Sequence, residues 1–320
     1  MFEGSVSFLF DSLLIFCLAF LIDVIFGEVP DRFHPTLWMG QIAGRLKPKL
    51  RSNNPQIEKI KGVFLCLGLL ALFVGPTCFG LFWTRELFGS LVYVIVSSFV
   101  LQTTFAIKCM KQYTLPVAEA VEKNDFETAK KYLPFIVRRN PKELTSRHII
   151  SAAVETIAEG TTDGITSPFF YFALFGVPGA VAFRVINTLD SMVGYKDEEH
   201  INIGWFSASM DTLVNYIPTR LTALLMVASA FILRLDWKQS YKILSRDKNI
   251  TVSPNAGWTI SAMAGALNVQ LEKPGHYIIG DKNNLSPQHI NKALQMMMMC
   301  SLLFALLIVF PLLTITWILI

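Results

Sequence analysis

The chain has 320 residues, of which 52% are hydrophobic and only 16% are charged. Soluble domains carry about 25% charged residues, so this composition argues against an ordinary soluble protein and indicates contact with lipid. The formal net charge of +4 is too small to indicate a nucleic-acid partner, and we expect none. The sequence predicts an all-α, polytopic transmembrane helical bundle: one integral membrane domain over residues 1–320, multi-pass, in the cell membrane.

Apolar runs occur along much of the chain, and a helix that spans a bilayer needs about 20 such residues. Four runs reach that length, namely 6–26, 62–83, 88–107 and 297–320. A fifth run, 217–233, is shorter. The run 168–183 is shorter again, so it is either a tilted span or a re-entrant segment buried in protein. We therefore expect about four to six membrane segments.

The basic residues between these runs predict their orientation, because cytoplasmic loops carry an excess of Lys and Arg. Residues 27–61 hold seven Lys or Arg, 108–167 hold nine, and 234–296 hold eight. The link between the second and third runs holds only Arg85. We therefore predict a helical hairpin with its turn outside, an outside N-terminus, and three cytoplasmic segments. The two shorter runs then either both cross the membrane or neither does.

Two segments between the apolar runs have patterns of their own. Residues 112–135 place apolar side chains such as Val117 and Val121 apart from charged ones, which predicts an amphipathic helix ended at Pro134. Residues 272–284 are rich in Gly, Asn, Asp and Pro, which indicates a loop.

The first polar cluster begins at residue 151. Ser151, Glu155 and Glu159 are spaced by four, so they share one helix face. We expect a turn that contains Asp163 to follow the helix. Two carboxylates on one face repel each other unless a cation lies between them, so one interpretation is a site for Mg²⁺ or a substrate amine. The other interpretation is a solvated face that pairs with nearby basic residues.

The second polar cluster follows the apolar run 168–183. Arg184, Asn187 and Ser191 fall on one helix face, with Asp190 beside them. Charged groups next to lipid cost free energy unless they have partners, so they mark candidate functional sites. The alternative is a helix N-cap and a turn without a functional role.

Smaller groups complete the set of candidates. Asp211 and Asn215 are spaced by four and precede Arg220, which is alternatively an interfacial side chain that extends into water. Asn255 lies in a turn-rich segment. His34 is a candidate proton-transfer group, although a lone histidine more often caps a helix or packs. The sequence has no Gly-rich phosphate-binding motif, so nucleotide use cannot be argued from a motif.

In this order, the clusters resemble the adenosylcobinamide-phosphate synthase family, integral membrane proteins of cobalamin biosynthesis. The longest matching stretch is Asn-Thr-Leu-Asp-Ser-Met-Val-Gly-Tyr at 187–195. The other matching stretches are Asp23 to Gly40 with His34-Pro35, the acidic segment 153–164, the segment 211–222, and Ser-Pro-Asn-Ala-Gly at 253–257. The resemblance covers most of the chain from Asp23 to about residue 280.

The resemblance implies ATP-dependent formation of an amide bond. The acid is adenosylcobyric acid, and the amine is (R)-1-amino-2-propanol O-phosphate or ethanolamine phosphate. Mg²⁺ and ATP (as co-substrate), a corrinoid substrate and the lipid bilayer are the expected partners, with room for association with other corrinoid-pathway enzymes. Phosphoryl transfer needs cations around the moving charge, and the attacking amine needs a base.

The resemblance also implies roles for the residues of the matching motifs. We assign catalysis to Glu155, Asp163, Asp190 and His34. Metal binding is assigned to Glu155, Glu159, Asp163, Asp190 and Asp211. Substrate binding, with the arginines and the lysine on phosphate groups, is assigned to Arg139, Arg184, Asn187, Ser191, Tyr195, Lys196, Asn215, Arg220 and Asn255.

Two other functions compete with the enzyme. A transporter is the first, because intramembrane Asp and Arg on broken helices also suit transport. The second is a non-catalytic membrane scaffold or sensor of related fold, which would tolerate the loss of Glu155, Asp163 and Asp190. The many carboxylates outside the predicted spans favour the enzyme over the transporter.

Overall fold

The structure is a computed structural model that describes residues 2–135, 137 and 144–319. Arg139 lies outside the described residues. Within them the chain forms thirteen α-helices: α1 (Phe2–Phe26), α2 (Pro35–Leu50), α3 (Pro55–Gln102), α4 (Ile107–Glu122), α5 (Phe126–Tyr132), α6 (Ser146–Thr161), α7 (Ser167–Val193), α8 (Trp205–Val214), α9 (Tyr216–Ile232), α10 (Trp237–Asp247), α11 (Ala256–Leu267), α12 (Gln288–Phe304) and α13 (Phe310–Leu319). Two strands, β1 (Leu271–Lys273) and β2 (Tyr277–Ile279), form an antiparallel pair.

Several of the helical stretches are long and apolar enough to cross a membrane. Among the described residues there are four of them: Ser7–Phe26, Pro55–Glu122, Ser146–Val193 and Gln288–Thr316. A fifth results if α8 and α9, which are bent by 46° at their junction, form one span. The prediction of an all-α membrane bundle with about four to six segments is confirmed.

A backbone break at Gly89 divides α3 into two halves. Gly89 has φ +78° and ψ 180°, a conformation that favours glycine because it has no Cβ. The first half, from Leu72 to Thr84, and the second half with the two residues that follow it, from Val96 to Thr104, line one cavity, so the chain reverses between them. The predicted hairpin therefore has its turn where the sequence placed it. The membrane side of that turn stays a prediction.

The short apolar run 168–183 is the first part of a longer helix. α7 continues to Val193 and is broken only at Gly176, which has φ +65° and precedes Pro178 by two residues. The polar cluster therefore lies on the last turns of a helix. The expected turn around Asp163 is wrong, because Thr162–Thr166 form a π-helical segment that leads from α6 into α7. In a π-helical segment the backbone hydrogen bonds join residues five apart instead of four, so the helix continues through the segment and no turn interrupts it.

The two segments between the apolar runs behave differently from each other. The amphipathic pattern of 112–135 corresponds to α4 and α5, which are separated near Asn124, a residue with φ +55°. The expected loop 272–284 is partly wrong, because β1 and β2 pair there, with Leu271 opposite Ile279. Both of these residues are fully buried, and their burial favours the strand pairing over an open loop.

The chain divides into two compact units, each formed from separate stretches. The first unit comprises Met1–Ala106, Ser167–Val214 and Ile308–Ile320, and the second comprises Ile107–Thr166 and Asn215–Leu307. The expectation of one domain over the whole chain stays a prediction.

Each unit has its own buried core. In the first unit, Phe169 packs edge-on against Phe16 and Phe105, with ring centroids 4.8 and 4.9 Å apart. In the second unit, α11 buries small residues against α10. A Cβ added to Gly265 would lie only 2.5 Å from the Gln239 carbonyl oxygen, so the two backbones approach closely there.

We expect Gly62→Ala to destabilise the folded protein by about 1–3 kcal/mol, the usual cost of overpacking. A Cβ at this position of α3 would lie 2.1 Å from the Ile203 carbonyl oxygen, and a backbone atom cannot move aside cheaply. The midpoint of thermal unfolding in detergent measures the effect.

Gly68→Ala is the matched control on the same helix, because a Cβ there meets no atom within 4 Å. Alanine favours helix over glycine, so the control should unfold at the wild-type temperature or above it. Equal unfolding temperatures for the two variants would contradict the close approach of α3 to Ile203.

Candidate functional site

A chain of hydrogen bonds connects three elements of the first unit at the end of α7. The Arg184 guanidinium donates from Nε to the Thr104 carbonyl at 2.7 Å, and Nη2 donates to the same oxygen. Its Nη1 donates to Asn187 Oδ1 at 3.2 Å, and Asn187 Nδ2 donates to Asp211 Oδ1 at 3.1 Å. Because each group holds the next, the orientation of Asp211 depends on an arginine one helix away.

Asp190 completes this group, which we call the α7 cluster: Arg184, Asn187, Asp190 and Asp211. The carboxyl groups of Asp190 and Asp211 interact electrostatically, and they repel each other when both are ionised. The close packing of Gly194 fixes Asp190, since a Cβ on that glycine would lie 2.0 Å from Asp190 Oδ1. The Gly194 amide also donates to the Asp190 carbonyl at 2.7 Å.

The rest of the predicted motif continues along the last turn of α7 and just beyond it. The Tyr195 hydroxyl donates to the Ser191 carbonyl at 2.8 Å, and its ring lies edge-on to His200 with centroids 5.3 Å apart. The side chains of Ser191 and Lys196 are exposed. These residues are therefore accessible to a ligand from solvent.

The α7 cluster has two carboxyl groups that could bind a magnesium ion, although it is not a complete cage of protein ligands. In the ranges 2–135, 137 and 144–319, no group of three or more His, Cys, Asp or Glu is arranged to hold a metal. Mg²⁺, however, usually takes one or two carboxylates and completes its shell with waters and substrate phosphates. Asp190 and Asp211 supply such a pair, and a bound cation would offset their repulsion. The wider metal set stays a prediction.

His34 has a structural role that the sequence left open. It is the N-cap of α2, and its Nδ1 accepts from the Thr36 amide at 3.3 Å. Its Nε2 lies 3.8 Å from Glu28 Oε2. Burial and the positive charge of Arg184 lower the pKa of His34, while Asp31 acts in the opposite direction. The imidazole is therefore neutral near pH 7. The catalytic role of His34 stays a prediction.

In the second unit, the Glu155 carboxylate is buried and accepts two hydroxyl hydrogen bonds. Ser151 Oγ donates to Oε1 at 2.6 Å, and the Tyr277 hydroxyl donates to Oε2 at 2.7 Å. Ser151 Oγ also accepts from the Glu272 amide at 2.7 Å. Glu155 thus holds β1 and β2 against α6, and the interpretation as a solvated face is wrong because the residue is only 2% exposed.

The other two acidic residues of this motif lie further along the chain. Glu159 is half-buried in the last turns of α6, and Asp163 is half-buried in the π-helical segment Thr162–Thr166. π-helical segments occur often at functional sites. The metal and catalytic roles of both residues stay predictions.

A second basic group in this unit centres on Arg220 of α9. The guanidinium lies 3.5 Å from the ring centroid of Tyr216 and 4.8 Å from that of Trp258. It donates to Asn255 Oδ1 at 2.6 Å and to the Pro254 carbonyl at 3.2 Å. These contacts fix the orientation of the guanidinium, and a fixed guanidinium is suited to binding an anion.

Lys248 adds a second positive charge to this group, which we call the Arg220 cluster: Tyr216, Arg220, Lys248, Asn255 and Trp258. The Lys248 ammonium lies 4.8 Å from the Trp258 ring centroid. Two cations share one indole ring, so the cluster attracts anions. Asn215 is buried immediately before α9.

Comparison with known proteins identifies relatives over most of the chain. The model of the family described as "CobD/Cbib protein" matches residues 16–297. This chain belongs to the CobD/Cbib family. No solved structure matches the chain.

Curated relatives align with this CobD/Cbib chain over most of their own length and most of its length. A protein of Methanothermobacter thermautotrophicus, named probable cobalamin biosynthesis protein CobD, is 41% identical over 290 residues, which cover 90% of this chain and 94% of the relative. The cobalamin biosynthesis protein CobD of Dehalococcoides mccartyi is 38% identical over 283 residues, or 88% and 91% of the two chains. That of Clostridium perfringens is 35% identical over 260 residues, or 81% and 82%.

The structure of the CobD/Cbib chain divides the predicted site residues between the two units. The first unit contains His34, Arg184, Asn187, Asp190, Ser191, Tyr195, Lys196 and Asp211, and the second contains Glu155, Glu159, Asp163, Asn215, Arg220 and Asn255. Three contributors were not predicted from the sequence, namely the Thr104 carbonyl, Tyr277 and Lys248. The first two lie far along the chain from their partners Arg184 and Glu155, whereas Lys248 lies ten residues before Trp258.

We expect Tyr277→Phe to destabilise the protein by about 1–3 kcal/mol, because it leaves a buried carboxylate oxygen without its hydroxyl donor. The thermal unfolding midpoint in detergent should fall accordingly. Tyr241→Phe is the matched control, since Tyr241 is 58% exposed. If both variants unfold at the wild-type temperature, Glu155 does not depend on Tyr277.

We expect the protein to lose stability as the pH falls from 7 to 5, because of His34. The lowered pKa means that the folded chain binds this proton at a lower pH than the unfolded chain, whose pKa is about 6.5. The stabilisation is therefore complete above about pH 6.5 and is lost below it.

The variant His34→Asn isolates this contribution. Asn is a good N-cap that does not titrate, so the variant should unfold like wild type at pH 7 and lose less stability at pH 5. Thermal unfolding at both pH values measures the difference. Identical losses in the two proteins would show that another group causes the pH dependence.

Proposed function

We propose that this chain is an enzyme of cobalamin biosynthesis that forms an amide bond in an ATP-dependent reaction. The acid is adenosylcobyric acid, the amine belongs to an amino-alcohol phosphate, and the product is adenosylcobinamide phosphate. The role in cobalamin biosynthesis rests on family membership and on relatives named for that pathway. The helices that can span a membrane support a multi-pass protein of the cell membrane.

The observation that carries this proposal is the placement of the longest motif. Residues 187–195 lie on and just after the last turns of α7, where Asn187 donates to Asp211 and Asp190 interacts with Asp211 electrostatically. An unreactive carboxylate must be activated before an amine attacks it, and transfer of the ATP γ-phosphoryl group to give an acyl phosphate and ADP does this. The amine then displaces phosphate, and a base takes its proton.

The α7 cluster supplies groups for this chemistry. Asp190 and Asp211 would hold Mg²⁺, which supplies positive charge around the transferred phosphoryl group. Asn187 holds Asp211 in place through its amide, and Arg184 holds Asn187. A carboxylate such as Asp190 can also accept the proton that the amine releases.

The Arg220 cluster suits the binding of a phosphate group of a reactant. Arginine binds phosphate in a bidentate way when its plane is fixed, and Tyr216, Trp258 and Asn255 fix it here. Lys248 adds a point charge beside the same indole ring. The substrate-binding roles of Arg220 and Asn255 are therefore part of the proposal.

We expect purified protein in detergent to convert adenosylcobyric acid, amino-alcohol phosphate, ATP and Mg²⁺ into the amide, detected by mass spectrometry. Asp190→Asn and Asp163→Asn should each lower turnover by about 10²-fold or more, because each removes a carboxylate proposed to bind metal or a proton. Asp125→Asn is the matched control. Asp125 caps α5, and Asn caps equally well.

Two outcomes would contradict the proposal in different ways. Full turnover in both Asp190→Asn and Asp163→Asn would reject the residue assignment but keep the reaction. No amide from the wild type, together with corrinoid flux in proteoliposomes, would favour the transporter over the enzyme.

A further inference from the structure

A cavity of about 670 Å³ lies within the first unit. It is lined by α2, by both halves of α3 and by α7, with apolar side chains such as Met39, Leu81, Val100 and Val181. Ligand cavities usually measure about 300–1,000 Å³ and have mainly apolar walls with a few polar groups. Both its size and its lining are therefore those of a ligand site.

The cavity has one charged side chain at one end. Among its lining residues only Arg184 is ionised, and the polar remainder are mainly threonines such as Thr103 and Thr104. Arg184 is fixed there by the Thr104 carbonyl and by Asn187. A fixed guanidinium attracts an anionic group, and its fork matches the oxygens of a phosphate.

The charged end of the cavity lies where two apolar helices end. α3 ends at Gln102, whose Nε2 donates to the Gly27 carbonyl just beyond the end of α1. Arg184 contacts the chain two residues after Gln102, at Thr104. Ends of apolar spans lie at the level of the lipid headgroups, so the guanidinium lies where a headgroup phosphate would be.

The length of the cavity agrees with the depth of one leaflet. Along α3 its lining extends from Leu72 to Thr84, close to the break at Gly89. Twelve residues of helix rise about 18 Å. One leaflet of the hydrocarbon core is about 15 Å deep, half of the full thickness. The cavity thus matches an acyl chain, whereas the polar amino-alcohol phosphate would leave its apolar walls unused.

We propose that this cavity binds one anionic phospholipid of the surrounding bilayer, with an acyl chain along α3 and its phosphate at Arg184. Because the same guanidinium donates to Asn187, the lipid phosphate and the α7 cluster share one side chain. The direct substrate-phosphate role assigned to Arg184 is then replaced by a positioning role. The proposal does not depend on the amide-forming reaction, since binding is measured without turnover.

Native mass spectrometry of the delipidated full-length protein tests this inference, with phosphatidylglycerol or phosphatidylcholine of the same acyl chains added back. The wild type should retain one phosphatidylglycerol and bind phosphatidylcholine about tenfold more weakly, because the choline ammonium, which phosphatidylglycerol lacks, is repelled by the Arg184 guanidinium and offsets the attraction of the phosphate. Equal retention of the two lipids would overturn the proposed role of Arg184.

Gly80→Phe tests the cavity itself. Gly80 lines the cavity, and a Cβ added there meets no atom within 4 Å, so the new ring can occupy the space of the acyl chain. Bound phosphatidylglycerol should fall at least tenfold. Gly75→Phe, on the same helix, also has open space but does not line the cavity, and it should retain the lipid. Equal retention by both variants would overturn the inference.

Arg184→Gln provides a second, independent variant in case Gly80→Phe does not fold. It leaves the apolar walls intact and removes the positive charge. The preference for phosphatidylglycerol over phosphatidylcholine should disappear. An unchanged preference would show that the lipid phosphate binds elsewhere.

Discussion

An ionised side chain in apolar surroundings costs several kcal/mol unless hydrogen bonds or an opposite charge compensate it. The polar groups of both units meet this constraint with partners that are themselves held in place. The Thr104 carbonyl accepts hydrogen bonds from Arg184, and the rings of Tyr216 and Trp258 pack against Arg220. Two hydroxyl groups donate to Glu155. Each charged group is therefore fixed by the fold, and a fixed charge is what recognition of a phosphate or a metal requires.

The same constraint explains where the long apolar helices break. A backbone break inside the lipid region is tolerated only where the freed groups find partners in protein. The two breaks with positive φ in these helices fall at Gly89 and Gly176, residues without a Cβ. The first reverses α3 and brings its halves to one cavity. The second precedes the turns of α7 that carry the polar cluster.

The sequence predicted the features that depend on local pattern. Apolar length marked the spans, and spacings of three and four residues placed Arg184, Asn187 and Ser191 on one helix face. The sequence did not predict hydrogen-bond partners that lie far along the chain or that belong to the backbone. Nothing near residue 104 indicates that its carbonyl accepts from Arg184, because every residue has a carbonyl. The strands around Tyr277 were missed because a three-residue strand is too short to show alternation, and its turn residues suggested only a loop.

Glu155 and Asp190 show how structure separates two explanations that spacing alone could not. Both are carboxylates that helical spacing brought to attention, Glu155 on one helix face with Ser151 and Asp190 beside the face of Arg184, Asn187 and Ser191. Glu155 has a sufficient structural reason to be buried, since Ser151 and Tyr277 donate to its two oxygens and fasten the strand pair to α6.

Asp190 instead interacts electrostatically with Asp211, a group of the same sign when ionised, and ionising both carboxyl groups costs free energy in the folded protein. A fold alone gains nothing from that repulsion, whereas a bound cation turns it into attraction. The like-charged pair, rather than the buried and fully hydrogen-bonded carboxylate, is therefore the stronger indication of a metal-assisted reaction in this chain.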